Sequence, residues 1–422
     1  MGLKTEEISK VIHEFSGEMT QFLCNLIEIP SLRGNEGPAN RFIHSVIAPL
    51  CDEALLMQIP ESFKYHSAYS WPIPELSYKD TQNVRLKISG THPSSARSLI
   101  LNAHSDVVPP SKNQERPFDP KIKDGIIFGR GACDDKGQIA VIYLVLKALQ
   151  KLGLRPRGNV WMDIVVEEEN GGNGTLFMTL HPVKADAAIV MEASELCIYP
   201  AVRGAVWFEL ICYGKPGHSG RSADVVSALK EAIKAMDVLE KYHDNLLAAS
   251  RGKNSLFDAF ENPMPVTFGT MNAGDWPATA PATATVKGVF GFLPDTNVQE
   301  VQKGMLDAVK NSSHSWLREH FDLKFNMLNN DGNEIPVDHP LVQELQGALM
   351  DAGNKAEISA MTAACDAWRY NTMGIPTVVL GAGSLKYAHS NEEQIKIEDI
   401  EQAAAVLLLF IHRWCTLEKA SE

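Results

Sequence analysis

Residues able to hold a metal first appear together in one apolar strand. Within 99–108 (Leu-Ile-Leu-Asn-Ala-His-Ser-Asp-Val-Val), His104 and Asp106 stand two apart. In an extended strand that spacing puts both side chains on one face, so the imidazole can offer one nitrogen to a metal while the carboxylate orients the ring through the other. Later apolar runs and glycine-rich turns end in more residues of the same kind: Asp134, Glu168, Glu169, Glu192 and His389. Hard carboxylates with imidazole and no thiolate suit zinc, manganese or cobalt at a catalytic site, not a structural zinc of the cysteine type. Two adjacent cations require a bridging carboxylate, a terminal carboxylate and a histidine for each, and a shared water. This set fills those roles. Such a water loses a proton near neutral pH, and a flanking carboxylate that is not a ligand can take the proton and deliver it to a leaving amine.

Each of these residues also has an ordinary account when taken singly. The stretch 129–137 (Gly-Arg-Gly-Ala-Cys-Asp-Asp-Lys-Gly) could be a tight strand-to-helix turn. Glu167, Glu168 and Glu169 could be a solvated acidic loop, His218 a turn residue before a helix, and His389 a surface histidine before a capping Ser or Asn. Taken jointly, those accounts leave unexplained why ligand-type residues end successive apolar strands. Cys133 sits beside Asp134, but no His–Asn pair remains to activate it, so it reads as a packing thiol.

The elements that must position these residues follow from periodicity. Helical spacing covers 5–27 and 39–50, and 138–152 is an apolar helix. Strands are expected at 83–89, 98–108, 159–166, 187–191 and 376–380, with further helices at 342–352 and 397–415. The repeated order of strand, acidic or histidine residue, loop and helix argues for an α/β sheet whose strand ends converge on one polar crevice. The middle of the chain changes character: strand 206–212, turn 217–221, helix 222–243, strands 265–271 and 282–292, helix 297–316 and strand 323–328. That order makes a compact α+β unit, so 205–328 reads as a domain inserted into one formed by 1–204 and 329–422. Residues 57–80 show neither period and read as a surface excursion.

Composition narrows the function classes. The chain has 422 residues with 45% hydrophobic and 22% charged, ample for a buried core of more than one domain. A net charge of -13 disfavours a nucleic-acid or anionic-membrane surface. The N-terminal residues lack the apolar core of a signal peptide, and no apolar run is long enough to span a bilayer. The seven cysteines (24, 51, 133, 197, 212, 365 and 415) are scattered without CxxC spacing and read as reduced thiols of a cytoplasmic protein.

In order along the chain stand His104-x-Asp106, Gly-Arg-Gly-x-x-Asp134-x-Lys-Gly, an acidic residue with Glu168-Glu169-x-Gly, Glu192, Gly217-His218-Ser-Gly and Ala388-His389-Ser-x-x-Glu. This series resembles the co-catalytic di-zinc amidohydrolase and metallopeptidase family that includes acetylornithine deacetylase, succinyl-diaminopimelate desuccinylase, aminoacylase and glutamate carboxypeptidase. The resemblance implies an α/β catalytic domain, with a mixed central sheet and helices on both faces, plus an inserted α+β lid and dimerisation domain. It implies that His104 and Glu192 bind one metal, Glu169 and His389 the other, and that Asp134 bridges them. Asp106 would belong to the catalytic set by orienting His104, and Glu168 would be general base and acid. His218 would hold the substrate carbonyl or its oxyanion, in many relatives across a dimer. The motif register selects Asp134 over Asp135, which is left without a role, and Gly171 places the base at Glu168.

The chain departs from that family at its specificity elements. Where relatives carry Asn-x-x-Pro and Arg-x-x-Pro on the lid, it has Ala278-Thr-Ala-Pro281 and Gly291-Phe-Leu-Pro294. The family's Asp-Ala-Arg turn reads Asp366-Ala-Trp368, with Arg369 one place later. Either another arginine (Arg203, Arg221 or Arg369) grips a substrate carboxylate or the substrate differs. Trp276, in a Gly-Asp-Trp-Pro turn, is the tryptophan best placed by sequence to line a substrate pocket. The expected activity is hydrolysis of the amide of an N-acyl amino acid or similar small amide, acetylornithine-deacetylase-like, by a metal-bridging hydroxide with Glu168. A dipeptidase or carboxypeptidase is the alternative, and a non-catalytic binding protein on the same scaffold is a third reading against which the complete ligand set and Glu168 argue. The implied cofactors are a pair of divalent cations, zinc first and cobalt or manganese otherwise. The implied partners are a small N-acyl amino acid or short peptide and a second copy of the chain, with no nucleic acid or membrane.

Overall fold

The computed structural model describes residues 4–220 and 222–420. Its main sheet has nine strands. Across the sheet run Glu53–Gln58, Gln82–Ile88, Val160–Val165, Leu99–His104, Ala188–Val190, Thr377–Val379, Ile198–Val202 and Asn333–Glu334, and Ile358–Met361 pairs beside Ile198–Val202. The four strands Val160–Val165, Leu99–His104, Ala188–Val190 and Thr377–Val379 are mutually parallel, and the outer pairs are mostly antiparallel.

Every residue of Leu99–His104 is buried because both faces of the sheet are covered. Leu99, Leu101 and Ala103 face the large core with helices Lys136–Leu152 and Ile397–Cys415. Ile100 faces the opposite core with Ala188, Val190 and Tyr370. The period-2 alternation places Asn102 and His104 on that second face. Gly153, in the left-handed region at φ 59°, ends Lys136–Leu152.

The structure differs from the sequence expectation in several places. The helix expected over 5–27 breaks at Phe15 into Thr5–Glu14 and Ser16–Ile27. Ser16 and Gly17 are weak helix formers, while the buried positions keep helical spacing across the break and conceal it. Residues 57–80 run largely over the surface, as expected, but they are anchored: the edge strand Glu53–Gln58 leads in, and Phe63 and Tyr78 are buried with Ile59, Phe177 and Met178. That burial comes from irregularly spaced aromatic residues, which leave no period to read. No helix among the described residues is long and apolar enough to cross a membrane.

A second, antiparallel sheet has five strands, in the order Val266–Ala273, Thr283–Phe292, Gly204–Tyr213 and Phe321–Lys324, with Asn329–Asn330 also on Gly204–Tyr213. Helices Ala228–Ser250 and Val298–Lys310 pack on it around Val206, Phe208, Leu210, Phe290 and Met305. The first of these helices starts later than the expected 222–243, because Val226 is still extended and pairs with Lys215 before the helix begins.

Candidate metal centre

Parallel strands deliver the polar residues to one end of the main sheet. His104 is the last residue of its strand, Glu167 to Glu169 follow Val160–Val165, and Glu192 follows Ala188–Val190. His389 lies in the loop after Thr377–Val379. This is the carboxyl edge, where α/β sheets bind ligands.

Asp134 is the meeting point. His104 donates from Nε2 to Asp134 Oδ1 at 3.0 Å. His389 Nε2 lies 3.2 Å from the other oxygen, Oδ2, and 3.0 Å from Glu169 Oε1. Glu192 Oε1 is 4.0 Å from His104 Nε2. The His389 backbone sits in the left-handed region at φ 58°, which is uncommon away from glycine and sets the direction of the ring. Two triads bring ligand atoms within 4.8 Å of one another: His104, Asp134 and Glu169, and His104, Asp135 and Glu192. Asp135, to which sequence gave no role, is therefore in the cluster. Its Oδ2 accepts the His104 backbone N–H at 2.9 Å, and its buried Oδ1 has no hydrogen-bond partner.

Asp106 does more than face His104. The His104 Nδ1 is nearest the Asp106 backbone carbonyl, at 3.0 Å, and 3.4 Å from its carboxylate. The carboxylate reaches forward to accept the N–H of Glu168 on one oxygen and that of Glu169 on the other, each at 3.2 Å. One buried carboxylate thus ties the histidine strand to the acidic turn.

The electrostatics fit a site for cations. Burial, and then neighbouring acids, push Glu168, Glu192 and Asp135 well above the usual carboxylate range. Asp134 is held low despite its burial, because His104 and His389 both hydrogen-bond to it. Those bonds in turn raise His389 to about 11, through Asp134 first and Glu169 second. Burial opposes a charge on His104, but its bonds to Asp106 and Asp134 outweigh that and raise it too. Repelling buried acids around shared imidazoles form the environment that divalent cations relieve.

Several supporting residues carry little signal of their role in the sequence. Glu393 is buried and accepts the backbone N–H of Gly131 at 2.9 Å and of Asp134 at 3.2 Å, besides pairing with Arg130. It is the final Glu of the Ala-His-Ser-x-x-Glu motif, which was the available clue. Asp366 accepts from Thr175 Oγ1 and approaches Gly172 so closely that a Cβ there would lie 2.0 Å from its Oδ1. Cys133 is buried, and burial, Glu393 and Asp134 push its thiol far up, so no thiolate nucleophile forms there.

His218 belongs to neither triad of candidate ligands. His218 is exposed in the short strand Gly217–His218, paired with Thr279–Ala280, and its Nδ1 accepts the Gly220 N–H at 3.1 Å. Trp276, in the adjoining turn, is 68% exposed. Arg203 donates to the carbonyls of Thr362 and Gly204, and Arg369 donates to that of Gly171, so these forks are turned toward backbone. Arg221 lies outside the described residues.

A carboxylate and imidazole crevice at the ends of parallel strands, suited to divalent cations, defines the class as a metal-site α/β protein with a second α+β unit. The profile of peptidase family M20/M25/M40 matches residues 100–413, and the chain belongs to that family. This is the family that the motifs resemble. The N-formyl-4-amino-5-aminomethyl-2-methylpyrimidine deformylase of Halalkalibacterium halodurans is 27% identical over 377 residues, covering 81% of this chain and 85% of that protein. The acetylornithine deacetylase of Shigella sonnei is 26% identical over 326 residues, covering 76% and 81%. A solved tripeptidase structure from Staphylococcus aureus superposes with a TM-score of 0.73 at 20% identity, covering 94% and 97%. The chain is a hydrolase acting on amide bonds.

Proposed function

We propose that this hydrolase removes a small acyl group from the nitrogen of an amino acid or a similar small amine, with a pair of divalent cations at Asp134. The single observation carrying the proposal is that each Asp134 oxygen faces a different histidine, His104 on one side and His389 on the other. A carboxylate so placed is disposed to bridge. In this reading His104 and Glu192 hold one cation, Glu169 and His389 the other, and zinc is the first choice over cobalt or manganese. Such a pair supplies polarisation of the amide carbonyl and a water of lowered pKa.

The chain's own residues then handle the proton. Glu168 accepts it from the attacking water and passes it to the departing amine; burial first, and then Asp366 and Glu192, raise its carboxyl well above the usual range, which favours holding the proton between the two transfers. Asp106 fixes the Glu168 and Glu169 backbone while flanking the His104 ring. His218 donates to the developing oxyanion, a role worth ~10²–10³-fold in rate for one donor. Its exposure on the second unit supports delivery across a homodimer, with 205–328 as lid and dimerisation domain and 1–204 with 329–422 as catalytic domain. The setting is cytoplasmic.

Deacylation is favoured over dipeptide cleavage because both sequence relatives named above are deacylases, while the tripeptidase likeness, at 20% identity, bears on fold alone. A panel of N-acetyl, N-formyl and N-succinyl amino acids against dipeptides tests this. The acyl amino acids are expected to lead in kcat/KM by roughly tenfold or more. Faster turnover of dipeptides overturns the deacylase assignment and leaves the metal-site assignment standing.

A further inference from the structure

The turn that carries Glu168 and Glu169 starts at Glu167, and Glu167 is gripped by residues outside the sheet. Its fully buried carboxylate accepts from Arg33 Nε at 2.7 Å, from the Tyr69 hydroxyl at 3.1 Å and from the Tyr78 hydroxyl. The two hydroxyl oxygens also lie 2.6 Å from each other. The Glu167 backbone is left-handed at φ 56°, and its carbonyl accepts the Gly172 N–H at 3.0 Å. A buried carboxylate paired with a guanidinium and two hydroxyls has little freedom to move. Glu168 therefore leaves the sheet from a fixed origin.

The same grip continues to the second sheet. Arg33 Nη2 donates to the Trp71 carbonyl at 2.7 Å, and its guanidinium lies 5.3 Å from the Trp71 ring centre. The Trp71 ring also meets Trp207, at 5.5 Å between centres, and Trp207 belongs to Gly204–Tyr213 of the second sheet. Trp71 is itself held left-handed at φ 49°. A contiguous path of contacts thus runs from the second unit through Trp207, Trp71 and Arg33 to Glu167, one residue from Glu168.

We propose that Glu167 is a positioning residue for Glu168, and that Arg33, Trp71 and Trp207 couple its setting to the second unit. The proposal rests on Glu168 being the base. It gives the 57–80 segment a role that its lack of periodicity hid: it supplies Tyr69, Trp71 and Tyr78 as one jaw of a clamp on the acidic turn.

The test is steady-state kinetics on the fastest member of the N-acyl amino acid panel, with bound cation measured on the same samples. Glu167→Gln is expected to lower kcat ~10–100-fold, with KM and cation content near the parent's, because small misplacement of a reacting group costs about that much. Trp71→Ala and Trp207→Ala should each lower kcat by roughly tenfold, and the double variant should fall no further than the worse single one, since both act through one contact. Trp71→Phe should restore most of kcat. A merely structural role would reduce the folded fraction without splitting kcat from KM per cation-loaded chain. Parent-like kcat in Trp207→Ala, or a multiplicative fall in the double variant, overturns the coupling. The two tryptophans are only partly buried, so these variants decide the matter even where Glu167→Gln fails to fold. Glu168→Gln, run alongside, separates the two levels: retained turnover there refutes the base itself, whereas its loss beside full kcat in the tryptophan variants refutes the clamp alone.

Discussion

Replacing Asp106 by asparagine keeps its shape and removes its charge, so the variant isolates what the carboxylate holds. Asp106 is fully buried, with one oxygen accepting the Glu168 N–H and the other the Glu169 N–H, each at 3.2 Å. Asparagine has one acceptor oxygen and one donor amide, so one of the two backbone N–H groups must face a donor. That loses a charge-assisted bond and leaves a buried donor unpaired, at about 2–3 kcal/mol, while the surviving bond drops to neutral strength, at about 1 kcal/mol more. Cation affinity should also fall ~10–100-fold, because His104 loses its flanking carboxylate and the Glu169 backbone loses its anchor. Urea unfolding of the cation-free protein should show a loss of about 3 kcal/mol. Zinc titration calorimetry should show the weaker binding. A stability loss under about 1 kcal/mol together with unchanged zinc affinity would refute the claim that this carboxylate joins the histidine strand to the acidic turn.

Three further outcomes follow from the geometry. His389 is raised to about 11, so its ring is protonated at neutral pH in the cation-free chain and must lose that proton to bind metal, and the upward shift of His104 acts in the same direction. Zinc affinity should therefore rise with pH by roughly tenfold per unit for each proton released, and equal affinity at about pH 6 and pH 8 would contradict this. Gly172→Ala forces a side chain onto a φ of 68° and a Cβ to 2.0 Å from Asp366 Oδ1. Chemical denaturation should show a loss of ~2–4 kcal/mol, and a parent-like midpoint would mean that the turn is free to relax. Arg85 pairs through two nitrogens with buried Asp163, each contact at 2.8 Å, so Arg85→Met should cost ~3–5 kcal/mol by stranding the carboxylate. A double variant with Asp163→Asn should recover part of it.

Much of the centre was legible because a polar residue ending an apolar run is conspicuous. His104, Glu169 and Glu192 each follow the last buried residues of a parallel strand, and Asp134 precedes an apolar helix. His389 lies in a loop, and only its flanking motif pointed to it. What stayed hidden is held by contacts between distant segments that share no period. The Asp106 carboxylate reaches 62 residues ahead to the Glu168 N–H, Glu393 folds back onto 131–134, and Arg33 crosses 134 residues to Glu167. The fold was legible to the same degree: strands buried on both faces declare themselves, while the break at Phe15 and the aromatic packing of 57–80 do not.

The central claim is that Glu169 holds metal while its neighbour Glu168 moves the proton, and cation analysis paired with turnover tests it most directly. The parent chain should carry about two divalent cations. Glu168→Gln should keep both and lose ~10²–10⁴-fold in kcat, whereas Glu169→Gln should lose at least one cation. Loss of cation from Glu168→Gln with full retention in Glu169→Gln would contradict the account.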